Sequence, residues 1–276
     1  MSYQEITPSV VFAKNDGGSN SACIVLQNEL VFVDAGLNTT KAIEFRKAME
    51  EKFIRKASAL IITHGHVDHF FGMGAFSDLK VIAAEAARAG IERYVKAEFT
   101  EQIIDNLEKL FPGFGEAAKV AKLFMPNVWF KENLTLGKNN EIFIKLVGGH
   151  SGCSSTIFFK PEKIMLTGDL LQIDASPYFG EPDNDLVKWI NELKFWEESN
   201  LQAFIPGHGR VVDTNYVKQI RIFFEELLSV LQKYKQLNIL EEEIMLQPDL
   251  PKGYWPEGGL KKQTYSFSII SNYKKL

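Results

Sequence analysis

The chain has 276 residues, 45% hydrophobic and 24% charged, enough for a sizeable core without disulfide staples. A net charge of −4 gives no bulk attraction to nucleic acid, and no apolar run approaches the roughly 18 residues of a membrane helix. Two cysteines, Cys23 and Cys153, make no disulfide framework and read as free thiols. The opening Met1-Ser2-Tyr3-Gln4-Glu5 lacks the basic and apolar regions of a signal peptide, so the expected location is the cytoplasm.

In chain order, residues 10–14, 23–27 and 30–34 read as strands, separated by the turns Asn15-Asp16-Gly17-Gly18 and Asn28-Glu29. A helix is predicted to open at Asn38 or Thr39 and to bury Ile43, Phe45, Ala48, Met49 and Phe53. Residues 59–63 form a continuous apolar run that suits a strand covered on both faces. Residues 84–125, broken at Pro112-Gly113, read as a helical insertion placed where it can act as a lid or substrate selector. Strands return at 141–147, 155–160 and 163–167. An amphipathic helix follows over 185–199, with Leu186, Ile190, Leu193 and Trp196 on one stripe. A strand at 203–205 and a long helix from 213 to about 234 complete the regular part. The stretch from about 245 to 276, with Pro248, Pro251 and Pro256, is predicted to be an irregular surface extension. The order suggests two similar halves in one domain spanning 1–276, two sheets face to face with helices outside.

The chemistry concentrates in Thr63-His64-Gly65-His66-Val67-Asp68-His69, where three histidines and an aspartate follow an apolar strand. Imidazole and carboxylate suit zinc, iron or manganese. The chain has only five histidines, and the other two sit in the same kind of place. His150 lies in Gly148-Gly149-His150-Ser151-Gly152 and His208 in Pro206-Gly207-His208-Gly209, each in a glycine-lined turn after a strand. Asp169, in Thr167-Gly168-Asp169-Leu170, is placed likewise.

The pattern His-x-His-x-Asp-His, then His, Asp and His, resembles the metallo-β-lactamase superfamily in its binuclear, glyoxalase II-like form. Asp34 in Val33-Asp34-Ala35-Gly36 matches a further motif, and the resemblance covers roughly residues 10–215. It implies an αββα sandwich with two divalent metal ions, zinc first among them, at the edge of the sheets. By that resemblance His64, His66 and His150 hold one ion, Asp68, His69 and His208 hold the other, and Asp169 bridges them. Asp34 then orients the ligand turn without binding metal. Two ions roughly 3.5–4 Å apart draw the pKa of a shared water from about 15.7 toward about 7. The expected activity is therefore hydrolysis by a metal-bound hydroxide oriented by Asp68, with no serine or cysteine nucleophile.

The reading favours a small ester, thioester or lactone. The glutathione-binding segment of true glyoxalase II is not seen after His208, and β-lactamases carry a different residue where Asp169 stands. A phosphodiesterase using the same site is the alternative. An iron-dependent redox enzyme is a second, although the diiron reductases of the superfamily have a glutamate in place of His66 and a flavin domain. Neither a nucleic acid nor a membrane is expected as partner. Tyr254 and Trp255 suit a lid or a homodimer contact, Tyr178 and Phe179 suit pocket or core, and Cys153 reads as a small buried filler.

Overall fold

The computed structural model describes residues 3–15, 17–253, 255–256 and 259–276. Asp16, in the first predicted turn, and Tyr254 lie outside the described residues. The central strands of both sheets are apolar on both faces, so each sheet must be covered twice. Seven strands pair in chain order: β1 (Tyr3–Thr7), β2 (Val10–Ala13), β3 (Ser21–Val25), β4 (Glu29–Val33), β5 (Lys56–Ile61), β6 (Lys80–Ala84) and β7 (Val128–Phe130). They are antiparallel as far as β4 and parallel from β4 to β7. The second sheet comprises β8 (Asn133–Leu136), β9 (Ile142–Leu146), β10 (Ser155–Phe159), β11 (Ile164–Gln172) and β12 (Ala203–His208), with only β11 and β12 parallel.

Alternation along the strands sorts the core into layers. Val31, Val33, Ile61 and Ile82 meet Ile144, Ile157, Leu166 and Ile205 between the sheets. The intervening Leu30, Phe32, Leu60 and Val81 pack outward against Phe45 and Met49 of α1 (Thr39–Phe53). Asn38 caps that helix by accepting from the Lys41 backbone N–H at 3.1 Å. The predicted stripe needs one correction. Ile43 is 51% exposed, and Ala42 takes the inward place, because 42, 45 and 49 follow the helical repeat whereas 43 falls beside it.

The segment between β5 and β7 holds the single-turn helix α2 (Val67–Phe70), then α3 (Arg88–Val95), α4 (Glu101–Leu110) and α5 (Phe114–Val120). Phe114 and Ala117 of α5 pack on Leu37, Val67 and Phe71, so these helices back the turn that carries the histidines. Behind the second sheet, α6 (Leu186–Glu198) and α7 (Thr214–Gln236) bury Trp189, Leu193, Trp196, Phe224 and Leu227. The architecture is a four-layered αββα sandwich.

The C-terminal stretch corrects the reading of 245–276 as irregular. Residues after Gly259 form a fourteen-residue helix, α8 (Lys262–Lys275). Its buried positions are Tyr265, Ser268, Ile269, Asn272 and Tyr273, a helical repeat that includes a serine and an asparagine. A pattern of apolar residues alone does not reveal such a face. Trp255 packs edge-on against Phe223 of α7, ring centroids 5.4 Å apart, and so belongs to the helical layer. Among the described residues no helix is long and apolar enough to cross a membrane.

Candidate metal centre

All seven predicted donor residues meet at one edge of the sandwich. The chain leaves β5 through Ile62 and Thr63, so that His64 follows the strand, His66 stands at the start of α2, and Asp68 and His69 lie within its single turn. His150 sits between β9 and β10. Asp169 lies inside β11, which runs past the predicted end at 167, and His208 is the last residue of β12. The parallel register sets Gly168 opposite Pro206, which brings both strands to the same edge. Two glycines make this approach possible. Gly168 has φ +51°, and a Cβ there would lie 2.9 Å from Thr63 Cβ. A Cβ on Gly207 would lie 2.0 Å from Asp169 Oδ1.

The donors fall into two groups, His64, His66, His150 and Asp169 in one, and Asp68, His69 and His208 in the other, with the donor atoms of each within 4.8 Å of one another. Asp169 faces both. Its Oδ2 lies 3.9 Å from His64 Nε2 and 3.8 Å from His150 Nε2, while its Oδ1 lies 3.1 Å from His69 Nε2 and 3.4 Å from His208 Nε2. Asp68 Oδ2 stands 3.2 Å from His208 Nε2. The His66 and His208 side chains are 26% and 34% exposed and form the open side; the other five residues are buried.

The chemistry of the hydrogen-bond partners assigns protons to the outer ring nitrogens. His150 Nδ1 lies 2.8 Å from the Tyr178 carbonyl, which only accepts, so Nδ1 donates. His66 Nε2 donates to the Glu181 carboxylate at 3.1 Å, and His69 Nδ1 to Asp34 Oδ2 at 2.7 Å. The Thr63 hydroxyl gives its proton to Asp34 Oδ2 at 2.8 Å, which leaves it to accept from His64 Nδ1 at 3.1 Å. Four rings thus have one nitrogen anchored outward and the other turned inward. His66 Nδ1 and His150 Nε2, the inward nitrogens of these two rings, face each other at 3.2 Å. His64 Nε2, Asp68 Oδ2, His69 Nε2 and Asp169 Oδ1 are buried without a hydrogen bond. Buried polar atoms of this kind are costly unless a partner satisfies them, and a cluster of inward imidazole nitrogens and carboxylate oxygens fits cations.

Asp34 is itself in the left-handed region, φ 54°, a conformation an aspartate tolerates better than most side chains. Its Oδ1 accepts from the Thr63 backbone N–H at 2.8 Å, so the carboxylate ties together strand end, threonine and imidazole. Burial, with the neighbouring imidazoles, pushes His64 down and His150 down to about 4. For His69 and His208 burial acts in the same direction, but the surrounding carboxylates outweigh it: His69 is held well above its ordinary value and His208 is raised to about 9. Burial opposes ionisation of Asp169, yet His208 and His69 keep it well below the usual carboxylate range.

A model of the metallo-beta-lactamase superfamily matches residues 15–208. The chain belongs to this superfamily. A probable metallo-hydrolase of Streptococcus pyogenes serotype M6 is 24% identical over 217 residues, 75% of this chain and 86% of the relative. The type 2 metallo-beta-lactamase of Bacillus cereus is 23% identical over 198 residues, 71% of this chain and 68% of that protein. Among solved structures, a metallo-beta-lactamase from Pontibacter korlensis aligns with TM-score 0.60 at 16% identity, covering 81% of this chain and 98% of the other, which shows a common fold. The family and these relatives identify the chain as a metal-dependent hydrolase, and the His/Asp groups are those of a divalent-metal site.

Some residues of this metallo-β-lactamase-fold site were not anticipated. Glu181 was not singled out, although the acid-rich stretch after Asp169 was a place to seek a partner for an exposed ligand histidine. Asn20 fixes the His208 loop, its backbone N–H donating to Gly207 O at 2.7 Å and its amide to Pro206 O and Gly209 O at 3.0 and 3.1 Å. Of the aromatic pair, Phe179 is core and Tyr178 lies half-buried against His150, ring centroids 6.1 Å apart. Cys153 is half-buried beside the ligand turn, where its Sγ accepts from Gly65 N–H at 3.4 Å and burial raises its pKa.

Proposed function

We propose that the protein is a dinuclear zinc hydrolase acting on a small ester, thioester or lactone. The observation that carries this reading is the Asp169 carboxylate, with one oxygen turned to His64 and His150 and the other to His69 and His208. His64, His66 and His150 would hold one ion, Asp68, His69 and His208 the other, with Asp169 between them. Two divalent ions bound there supply Lewis acidity and a nucleophilic water at neutral pH.

The chain's own groups do the rest. Asp68 Oδ2, buried and facing the donors, is placed to hold the proton of the attacking water and aim its lone pair. The substrate enters across His66 and His208, the exposed edge of the cluster. Glu181, whose hydrogen bond from His66 keeps it ionised, stands on that edge and disfavours a phosphodiester relative to an uncharged carbonyl compound. The raised Cys153 thiol is not a competing nucleophile.

The test is elemental mass spectrometry of protein purified without chelator, followed by turnover of nitrophenyl esters, thioesters, lactones and bis-nitrophenyl phosphate. About two zinc ions per chain and preferred cleavage of the carbonyl substrates are expected. Failure to bind metal even after zinc addition would overturn the reading. Faster cleavage of the phosphodiester would replace the substrate class, and two irons with oxygen consumption would replace the chemistry.

A further inference from the structure

The C-terminal helix grips the loop between β11 and α6 by its backbone. Ser268 Oγ accepts from Phe179 N–H at 3.2 Å, and Asn272 Nδ2 donates to Phe179 O at 2.6 Å. Ser271 Oγ donates to Gly180 O at 3.2 Å, and Lys275 Nζ donates to Glu181 O at 2.8 Å and Asn184 O at 3.1 Å. Phe267 stacks on Tyr178, centroids 6.5 Å apart and planes 10° from parallel. Successive carbonyls at 179, 180 and 181 are therefore held by α8, which fixes where residue 181 leaves the main chain.

From that point the Glu181 side chain reaches His66 Nε2 at 3.1 Å. His66 is the exposed member of its donor set, and among the described residues the bond from Glu181 is what anchors its outer nitrogen. An imidazole without an outer anchor can turn or change tautomer, and then presents a proton where the set needs a lone pair. We propose that Glu181 is a positioning residue for His66, holding it in the Nε2–H tautomer with Nδ1 inward, and that α8 is the clamp that keeps Glu181 in place. This rests on the metal-site reading above. It gives the C-terminal stretch, which lies beyond the family match at 15–208, a part in building the metal centre.

The experiment uses the full chain, stripped with chelator and titrated with zinc against a chromophoric competitor. The variants are Glu181→Ala, Glu181→Gln and Asn272→Ala. Loss of an outer hydrogen-bond partner weakens metal binding by about 10–100-fold. Glu181→Ala is therefore expected to weaken one of the two zinc equivalents by about that factor and leave the other unchanged. Glu181→Gln, whose amide oxygen still accepts from Nε2–H, recovers part of the loss. Asn272→Ala, which touches only loop and helix backbone, weakens the same equivalent to a smaller degree. Nitrogen NMR of the stripped protein provides a second readout, with the Nε2–H signature of His66 retained in wild type and diminished in Glu181→Ala. Wild-type affinity for both ions in Glu181→Ala overturns the proposal. Equal loss of both ions with a lowered melting temperature also overturns it and assigns Glu181 a general structural role. A wild-type protein that binds no zinc overturns the metal reading itself.

Discussion

The two donor sets use the same device in opposite surroundings. In each, a carboxylate accepts from the outer nitrogen of one imidazole, Asp34 from His69 at 2.7 Å and Glu181 from His66 at 3.1 Å. The Asp34 side chain is 4% exposed and the Glu181 side chain 27%. Asp34 also accepts two bonds from Thr63, at the end of the strand that feeds the turn, whereas Glu181 reaches in from a loop clamped by the last helix. The difference separates two duties. On the proposed reading, the buried carboxylate ties the fold to the donor cluster, whereas the rim carboxylate bears on His66 and the neighbouring Tyr178.

The most damaging change should therefore be Asp34→Ala. It strands the Thr63 N–H, the Thr63 hydroxyl and the His69 Nδ1–H in a buried place. Removing one partner of a buried charged pair costs about 3–5 kcal/mol. A loss of that order is expected in urea unfolding of the chelator-stripped protein, against less than about 1 kcal/mol for Glu181→Ala, as for other partly exposed pairs. Equal losses for the two variants would erase the distinction between them.

Gly207→Ala should come next, and it should strike both sets at once. The added methyl would sit 2.0 Å from Asp169 Oδ1, so the carboxylate that faces both groups must move. Overpacking of this kind costs about 1–3 kcal/mol. Zinc titration should show both equivalents weakened, in contrast to the single equivalent affected by Glu181→Ala. Retention of one tight ion in Gly207→Ala would mean that Asp169 serves one set only.

How much of this was legible follows the same division. The seven candidate donors stood out because three histidines and Asp68 follow one apolar strand while His150, Asp169 and His208 each read as lying in a glycine-containing turn after another, and Asp34 because it ends a predicted strand within a motif of its own. Strand alternation and the Leu186, Ile190, Leu193, Trp196 stripe gave the layers. Glu181 was hidden among Asp183 and Asp185, and it is singled out by its contact with His66, 115 positions away, on a loop held by α8 some 90 positions on. The helix was hidden in turn by the prolines before it and by Ser268 and Asn272 on its inner face, whose burial depends on hydrogen bonds to the loop backbone. Strand β6 was missed because Lys80–Ala84 runs without a break into an alanine-rich stretch.

The smallest expected effect concerns protons. In the stripped protein at pH 7, His150, lowered to about 4, is neutral with its one proton on Nδ1, whereas His208, raised to about 9, remains the doubly protonated imidazolium between Asp68 and Asp169. The folded value for His208 exceeds the ordinary imidazole value of about 6.5. Its pairing therefore stabilises the stripped fold fully below about pH 6.5, and that contribution is lost as pH rises through about 9. His150 works the other way, since a depressed imidazole favours the fold above about pH 6.5 and ceases to do so as pH falls through about 4. The melting temperature of the stripped protein should thus decline between pH 6.5 and 9, and only by a few degrees, because His208 is 34% exposed and water screens its pairing. In zinc-loaded protein the proton is displaced and the decline should vanish. Calorimetric titration in two buffers of different ionisation enthalpy should then show proton release on filling the Asp68, His69 and His208 set and little on filling the other. A flat melting profile for stripped protein over that range would mean that the two sets do not differ in the protons they hold.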